Sequence, residues 1–363
     1  MCNNYSENLK NGLRISVDYI AFTVVDDRFD VDDVILMIGF EPEDFISLPR
    51  GGFGYKKQRK NEKSGISVLY DGSENMGIHV NITGKGVPFL LEAFSKTLPK
   101  TKFEGQIYSW MSEDVLSQFF QTVKQYGHFS RIDVAIDDDG GQYFSPPEIF
   151  KIYKNDQVVS KWRSVRRVDR YKAPNDCNGY TVYFGSRESM LMLRLYDKAL
   201  EINNSFSPGE DGYIDHNWYR WELEYKEDRA NEFACAIIDG ANLGSIAVGV
   251  LAYYIRLIEL DDCNRSRCST MEKWEKFVHD IEVLRLSGQK KKKTVYDKLM
   301  WVDSQVAPTL ATLLLLYNFD QNFLYDIAVK NRDRISKSDW ELIREHRPEL
   351  FDYYSPYASA DRI

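Results

Sequence analysis

The sequence predicts an α+β fold: a mainly antiparallel β-sheet domain with flanking helices and a helical C-terminal part. Strand-like segments dominate the first two thirds of the chain, and few helical patterns lie between them. From about Arg229 onward the apolar spacing becomes helical, interrupted by the lysine run at 290–293. We therefore expect a sheet domain over residues 1–240 and a mainly helical region over residues 241–363.

Alternating polarity, or a short apolar run between turn residues, predicts each strand. The predicted strands are Asp18–Val25, Gly54–Tyr55, Ile66–Tyr70, Ile78–Ile82, Phe129–Asp137, Thr181–Phe184, Leu191–Asp197 and Trp218–Lys226. The segment 84–86, with two glycines around a lysine, is typical of a tight turn.

Capping residues and apolar positions three or four residues apart predict the helices. Asp30 is a candidate N-cap for a helix through Ile38, and Ser112 begins a helix that ends at Gly127. Ser145, followed by two prolines, begins another. The later predicted helices are Asn231–Ile238, Gly244–Leu257, Met271–Leu286 and Pro308–Ile335.

Composition indicates a cytoplasmic protein that does not enter the membrane. No apolar run reaches membrane-spanning length, the N-terminal residues lack a secretory pattern, and five cysteines are scattered as in a reducing compartment. The formal net charge of −8 argues against nucleic acid at first sight. Phosphate binding depends on local potential, however, so the distribution of the basic residues decides the matter.

Two predicted strands carry carboxylates on one face. Asp133 and Asp137 share one face of the first strand, and Glu222 and Glu224 share one face of the second. Oxygen ligands of this kind suit Mg²⁺ or Mn²⁺, so the four residues are candidate metal ligands. The alternative is that they pair with neighbouring arginines on a solvated sheet face.

A tyrosine with basic neighbours lies on another predicted strand. Arg194, Tyr196 and Lys198 project to one side, and the leucines at 191, 193 and 195 face the core. A positive field favours the phenolate and would hold a phosphate, as covalent catalysis by tyrosine on a phosphodiester requires. Since the chain contains 23 tyrosines, a packing role is the alternative.

Clusters of basic residues are candidate DNA contacts. The segment 161–172 contains Lys161, Arg163, Arg166 and Arg167 together with the indole of Trp162, a combination that suits phosphate contact and base stacking. Lys290 and Lys291 belong to a second cluster, and residues 56–60 form a third. Taken singly, each is more often a solvated loop.

These segments together resemble the rolling-circle replication initiators of Gram-positive plasmids (the Rep_trans type) and the related relaxases of integrative and conjugative elements. Order and spacing agree over roughly residues 15–240, and residues 301–313 are similar to the tail of such proteins, though less specifically. The matching segments are Ile78–Ile82 with the turn at 84–86, Arg131–Asp138, Ser160–Arg166, Gly179–Ser189, Arg194–Lys198 and Arg220–Glu224.

The resemblance implies site-specific nicking and rejoining of DNA. The family's tyrosine, here Tyr196, would attack a phosphodiester, stay linked to the 5′ phosphate and release a 3′ hydroxyl. Asp133 and Glu222 would bind the divalent metal, Mg²⁺ or Mn²⁺, with Asp137 and Glu224 as further candidates. Related nickases bind their metal through a histidine-hydrophobic-histidine pair, which is absent from the five histidines of this chain.

Three alternatives remain open at the level of sequence. A conjugative relaxase has the same chemistry as an initiator of plasmid replication; the chain begins almost directly with its first strand, which favours the initiator slightly. A non-catalytic origin-binding protein would not need Tyr196, Asp133 and Glu222 together. A nucleotide-driven enzyme is disfavoured because no glycine-rich phosphate loop is present. The family also implies double-stranded origin and single-stranded DNA as partners, a homodimer and a host helicase.

Overall fold

The computed structural model describes residues 12–98, 113–173, 176–210, 212–287, 302, 306–318, 320, 322–335 and 337–356. Its contacts divide the chain into two compact units, Met1–Ser287 and Gly288–Ile363. Residues 241–287, which the sequence assigns to the helical C-terminal region, belong to the first unit in this division.

An antiparallel sheet of ten strands dominates the first unit. The ten strands are β1 (Leu13–Val24), β2 (Ile46–Leu48), β3 (Lys57–Lys60), β4 (Ser67–Tyr70), β5 (Ile78–Thr83), β6 (Gly127–Asp139), β8 (Val165–Ala173), β9 (Asp176–Phe184), β10 (Leu191–Asp197) and β11 (Trp218–Lys226). Their spatial order in the sheet is β2-β3-β4-β5-β1-β6-β11-β10-β9-β8. A separate antiparallel pair is formed by β7 (Val158–Ser160) and β12 (Ile255–Leu257).

Eight helices of the first unit are interspersed among these strands along the described part of the chain. They are α1 (Val31–Met37), α2 (Gly86–Thr97), α3 (Glu113–Tyr126), α4 (Pro146–Lys154), α5 (Lys198–Asn203), α6 (Glu227–Ile238), α7 (Leu243–Tyr254) and α8 (Glu272–Ser287). Asp30 caps α1 in a capping box with Asp33, and Ser145 caps α4 by accepting from the Glu148 N–H. The N-caps predicted at Asp30 and Ser145 are confirmed, and Ser112, where another helix is predicted to begin, lies outside the described residues.

The core lies between one face of the sheet and the helices. Phe22 of β1 packs against Phe119 of α3 with ring centroids 5.8 Å apart, and Trp221 of β11 packs against Phe277 of α8 at 5.0 Å. Burying an aromatic or aliphatic side chain of this size contributes about 1.5–3 kcal/mol. Because the alternate residues of the same strands point away from this core, the opposite, open face of the sheet receives the polar side chains.

The predicted fold class is confirmed, and several elements differ in detail. Residues 54–55 lie in a turn, and the strand of that region, β3, begins at Lys57. The helix expected to run to Leu257 ends at Tyr254, where the chain becomes β12. Helix α2 was not predicted.

The second unit contains helices α9 (Ala307–Leu316), α10 (Asn322–Lys330), α11 (Lys337–His346) and α12 (Pro348–Tyr354). The single helix predicted over residues 308–335 is therefore two helices, followed by a short 3-10 turn. Trp340 of α11 and Phe351 of α12 are buried, with ring centroids 6.3 Å apart. Within the described ranges, no helix combines the length and apolarity needed to span a membrane.

Candidate active site

Strand register brings the predicted catalytic and acidic residues together on the open face of the sheet. Directly paired residues point to the same face, so the side chains form rows across the strands. The first row is Thr181, Tyr196, Arg220 and Asp137; the second is Tyr183, Arg194, Glu222 and Ala135; the third is Met192, Glu224, Asp133 and Tyr19. The face assignments made from the sequence are confirmed for these strands.

Tyr196 lies near the end of β10, just before Asp197 caps helix α5 by accepting from the Leu200 N–H at 2.9 Å. Only 5% of the tyrosine is exposed, and its hydroxyl donates to Glu222 Oε2 at 3.2 Å. The guanidinium of Arg194 lies 4.6 Å from the centre of the tyrosine ring. Lys198 Nζ lies 5.7 Å from the same centre and pairs with Glu201.

The pKa of Tyr196 is raised above its ordinary value, first by burial and then by the charge of Glu222; Arg220 and Arg194 act in the opposite direction. The basic neighbours thus act in the expected direction, toward the phenolate, but burial and the charge of Glu222 outweigh them in the protein without DNA. Sequence alternation reveals the arginine and the lysine beside the tyrosine. It does not reveal how deeply the strand is buried.

Glu222 is the centre of the cluster and is 2% exposed. Arg194 donates through one nitrogen to both carboxylate oxygens, at 2.7 and 2.6 Å. Burial alone would raise the pKa of Glu222, but Arg194 and Arg220 outweigh burial and hold it below its ordinary value. Glu222 is thus an anion that accepts hydrogen bonds from an arginine and from the candidate nucleophile.

Asp133, also 2% exposed, is the second carboxylate of the centre. Arg131 donates to its two oxygens at 2.8 and 2.6 Å. Burial nevertheless raises the pKa of Asp133, and the nearby charges of Glu222 and Glu224 add to the rise. Asp133 and Glu222 are within hydrogen-bonding distance of each other, so the two carboxyl groups share one small volume.

The two other predicted metal ligands are engaged by basic residues. Glu224 pairs with Arg131 at 2.5 Å and with Lys226 at 2.6 Å. Asp137 accepts from Arg220 at 2.7 and 2.9 Å and from the indole of Trp218 at 2.8 Å. The structure therefore places Glu224 beside Asp133, and Asp137 in the row of Tyr196 under Arg220.

Asp18 is a member of the site that the sequence analysis missed. It lies at an irregularity in β1, where the pairing with β6 shifts between Val17 and Tyr19. Its Oδ1 accepts from Arg220 at 2.7 Å, and burial raises its pKa. A Cβ at Gly84 would come within 2.6 Å of that oxygen, so the glycine leaves room for the carboxylate. A bulge breaks the alternation on which the face assignments depend, and therefore sequence alone gives no signal for Asp18.

Asp133 and Glu222 could hold a divalent cation. Mg²⁺ commonly binds one or two protein carboxylates and completes its shell with water and substrate phosphates. Among the described residues, no group of three or more histidine, cysteine, aspartate or glutamate side chains has a geometry suited to a metal ion. The donor set thus fits a cation that shares two carboxylates, and a fully protein-bound metal does not fit it.

The predicted DNA-contact residues are divided between the two faces of the sheet. Arg166 is exposed on the open face, 4.6 Å over the ring of Tyr183. Arg167 points to the other face, where it pairs with Asp169 and lies 5.4 Å from the ring of Phe150 on α4. Lys161 and Arg163 are exposed after β7, with Lys161 over the ring of Tyr253.

Two further expectations concern the basic segments. Trp162 cannot offer its ring to a base, because it is buried, donates its indole N–H to the Leu191 carbonyl at 3.0 Å and stacks on Tyr254. Lys290 and Lys291 lie outside the described residues.

The fold and the site define an α+β protein with one helix-covered sheet face and one open face, on which a tyrosine lies among arginines and carboxylates. The family model described as "Replication initiation factor" matches residues 127–327, more than half of the chain. The chain therefore belongs to the replication initiation factor family, as its motifs indicated.

Two similar proteins support this assignment. One, from Bacillus subtilis (strain 168), is named "Putative DNA relaxase NicK" and is 28% identical over 313 residues, which are 85% of this chain and 83% of the relative. The other is the solved structure of a rolling circle replication initiator protein from Geobacillus stearothermophilus. It is 27% identical, with a TM-score of 0.61, and the match covers 75% of this chain and 97% of that one.

Proposed function

We propose that this protein cuts and rejoins one DNA strand at a specific site through a 5′-phosphotyrosine at Tyr196, and so initiates rolling-circle replication of a plasmid. The observation that carries the proposal is the contact of the Tyr196 hydroxyl with Glu222, inside a cluster of arginines on the open sheet face. Family membership and the similarity to a rolling circle replication initiator protein support the same chemistry.

The outermost groups of the cluster would receive the phosphodiester. The Arg194 and Arg131 side chains are each about one third exposed, whereas the carboxylates below them are almost fully buried. Arginine recognises phosphate oxygens through paired N–H groups and remains charged. A DNA phosphate that approaches the open face would meet these two guanidinium groups first, and Arg194 lies 4.6 Å from the centre of the Tyr196 ring.

The phenolic proton has a defined acceptor. In the protein without DNA, Arg194 compensates the charge of Glu222, and the tyrosine remains a neutral phenol. When a phosphate draws Arg194 away, the pKa of Glu222 rises and Glu222 becomes a better base. As the tyrosine oxygen bonds to phosphorus, its proton passes to Glu222 Oε2, the bond from phosphorus to the 3′ oxygen breaks, and solvent supplies the proton for the 3′ hydroxyl.

A divalent cation, Mg²⁺ or Mn²⁺, would be held by Asp133 and Glu222; when bound, it would polarise a phosphate oxygen and stabilise the charge of the transition state. Asp137 and Glu224 remain further candidate ligands of this cation. Arg220 forms ion pairs with Asp137 and Asp18 and so holds these two carboxylates in place next to the tyrosine.

A second function, conjugative relaxase of an integrative element, is favoured by the name of the Bacillus subtilis relative. The chemistry at Tyr196 would be the same, and the DNA substrate would be a transfer origin. The neighbourhood of the gene distinguishes the two: a double-strand origin beside it indicates replication, and conjugation genes indicate transfer. A homodimer and a host helicase as partners remain predictions from the family, as does binding to both origin duplex and single-stranded DNA.

Covalent attachment to DNA is the test of the proposal. Purified protein with Mg²⁺ or Mn²⁺ is expected to nick supercoiled DNA that carries the region around its gene, and to remain attached to the cut strand on a denaturing gel. Tyr196→Phe should abolish both products, because the attacking oxygen is gone, and should leave the affinity for the same DNA unchanged. Removal of the metal by EDTA should also stop cutting.

The matched control is Tyr183→Phe, which removes a hydroxyl from the neighbouring strand of the same face. This variant should form the adduct at the wild-type rate. If Tyr196→Phe forms the adduct as fast as wild type does, the tyrosine is misassigned. A non-catalytic origin-binding protein would bind the DNA and give no adduct with any variant.

A further inference from the structure

A loop at the far side of the open face presents a single aromatic ring to solvent. Phe53 is 74% exposed and lies between two glycines in the segment 49–56, before strand β3. Its φ of 54° lies in the left-handed region, which bulky side chains adopt rarely and at a cost in free energy. The ring gains little burial in return, so neither packing nor backbone preference explains a phenylalanine at this position.

The loop that carries Phe53 is held firmly. Gly51 N–H donates to the Lys56 carbonyl at 3.0 Å, Tyr55 N–H to the Gly52 carbonyl at 2.9 Å, and the Tyr55 hydroxyl to the Met76 carbonyl at 2.9 Å. A Cβ at Gly51 would come within 2.2 Å of the Tyr55 carbonyl oxygen, so the tight turn requires glycine there. The backbone that carries Phe53 is therefore held in place by the loop's own hydrogen bonds.

Aromatic rings continue from Phe53 onto the sheet. The Phe53 ring lies 6.2 Å from that of His79, which also stacks on Tyr55 at 6.0 Å with an interplanar angle of 19°. His79 in turn is hydrogen-bonded to Thr23 of β1 at 3.0 Å. Burial lowers the pKa of His79, so this ring is neutral at physiological pH and serves as a stacking surface.

Strand register places this aromatic group on the same face as the candidate active site. Thr23 pairs with His79, and Tyr19, four residues earlier on the same strand, pairs with Asp133. An even separation keeps both on one face, and Arg131, which binds Asp133, lies 4.6 Å over the ring of Tyr19. Four residues along a strand and two strand spacings across the sheet separate His79 from Asp133 by roughly 16 Å.

The surroundings of Phe53 are cationic. Lys56 and Lys57 follow it with side chains that are largely exposed, and both lie near Asp71, at 3.9 and 3.3 Å. Arg50 precedes it and is exposed as well. An aromatic ring beside cations is the arrangement that binds single-stranded nucleic acid, where bases stack on the ring and the cations contact phosphates.

We propose that Phe53 stacks on an unpaired base of the DNA strand that crosses the open face, with Arg50, Lys56 and Lys57 holding the adjacent phosphates. This inference rests on the proposed function for the identity of the ligand, single-stranded DNA. The loop acts away from the cut, as a second point of attachment that fixes the path of the strand over Tyr19 and Arg131 toward Tyr196.

The test uses the full chain and an oligothymidine strand that carries one 2-aminopurine, whose fluorescence falls when it stacks. Phe53→Asn is the decisive variant, because asparagine tolerates positive φ while removing the ring. Its melting temperature should equal or exceed that of wild type. It should bind the strand about tenfold more weakly and lose the quenching. Phe53→Tyr should retain both, and Phe89→Asn, which removes a 45% exposed ring from helix α2, should behave as wild type.

The outcomes separate this inference from the proposed function. Equal binding and quenching by wild type and Phe53→Asn overturn the inference, even where the wild type forms its tyrosine adduct, and would assign the exposed ring to a protein partner. Quenching that depends on Phe53 supports the inference even if wild type forms no adduct, in which case the nicking proposal alone fails.

Discussion

Asp133 and Glu222 lie next to each other, almost fully buried, under Arg131 and Arg194. Keeping two neighbouring buried carboxylates charged is unfavourable in free energy. The pKa of Asp133 is raised accordingly, first by burial and further by the charge of Glu222. A bound cation would supply positive charge and so stabilise both carboxylates in their charged form. Substitution of Asp133 or Glu222 is therefore the most direct way to test the metal proposal at the scale of single residues.

Asp133→Asn tests the metal proposal directly. Wild-type protein should be stabilised by Mg²⁺ or Mn²⁺, by about 2.7 kcal/mol at a concentration ~100-fold above Kd, visible as a rise in melting temperature. Asp133→Asn should lose most of that rise, because the amide lacks the charge that binds the ion. The variant should still fold, since the fold already favours the neutral form of Asp133 and Arg131 keeps Glu224 as a partner.

The control for this prediction is Glu92→Gln, at a solvent-facing position of α2 outside the site. It should show the full metal-dependent rise. A full rise in both Asp133→Asn and Glu222→Gln would remove these residues from the ligand shell, whatever the effect of either variant on DNA cutting.

Among the elements, strand β6 matters most, because it pairs with β1 on one side and with β11 on the other. It begins at Gly127, where a Cβ would come within 1.9 Å of the Thr23 carbonyl oxygen. That oxygen belongs to the backbone of β1 and cannot rotate away. The two long strands approach each other this closely only because residue 127 has no side chain.

Gly127→Ala should therefore destabilise the protein by about 2 kcal/mol or more, as overpacking against rigid backbone does. Gly249→Ala is the matched control: it lies exposed within helix α7, and an added Cβ meets nothing within 4 Å. It should stabilise the protein by about 0.5–1 kcal/mol through helix propensity. Urea unfolding of the two variants measures both effects, and equal stabilities would contradict the close approach of β1 and β6.

Elements with strict alternation were predictable from sequence. The predicted bounds of β10 and β11 agree with the structure, because one face of each is a row of apolar residues and the other carries charges. Once these strands were placed, the shared face of Arg194, Tyr196 and Glu222 followed. That these strands are neighbours in the sheet, with Arg194 opposite Glu222, is a tertiary fact that alternation cannot supply.

The residues that escaped prediction depend on tertiary contacts. Asp18 reaches Arg220 from a bulge, where alternation no longer tells the face of a side chain. Trp162 sits among basic residues in sequence, yet its ring belongs to the core beside Tyr254. The raised pKa of Tyr196 follows from burial, which depends on the whole sheet. Chemistry-bearing residue types were thus visible in the sequence, and their electrostatic state was not.

For the molecule as a whole, a net charge of −8 is compatible with the proposed DNA binding, because arginines lie on the open sheet face. Arginines cross the open face, with Arg166 over Tyr183 and Arg194 over Tyr196, while Glu222 and Asp133 lie beneath them. DNA on this face would contact the arginines before the buried carboxylates. The strength of the attraction then depends on a few local cations and should be strongly sensitive to salt.

Arg166 and Arg167 provide an internal test, because adjacent residues of β8 point to opposite faces of the sheet. Arg166→Ala should weaken single-stranded DNA binding and lower the slope of log K against log salt by about 0.7, the loss of one phosphate contact. Arg167→Ala should leave the slope unchanged, since its guanidinium is occupied by Asp169 and packs near Phe150. Melting curves verify that both variants remain folded. If Arg167→Ala lowers the slope and Arg166→Ala does not, the DNA runs over the helix-covered side, and the open face is not its path.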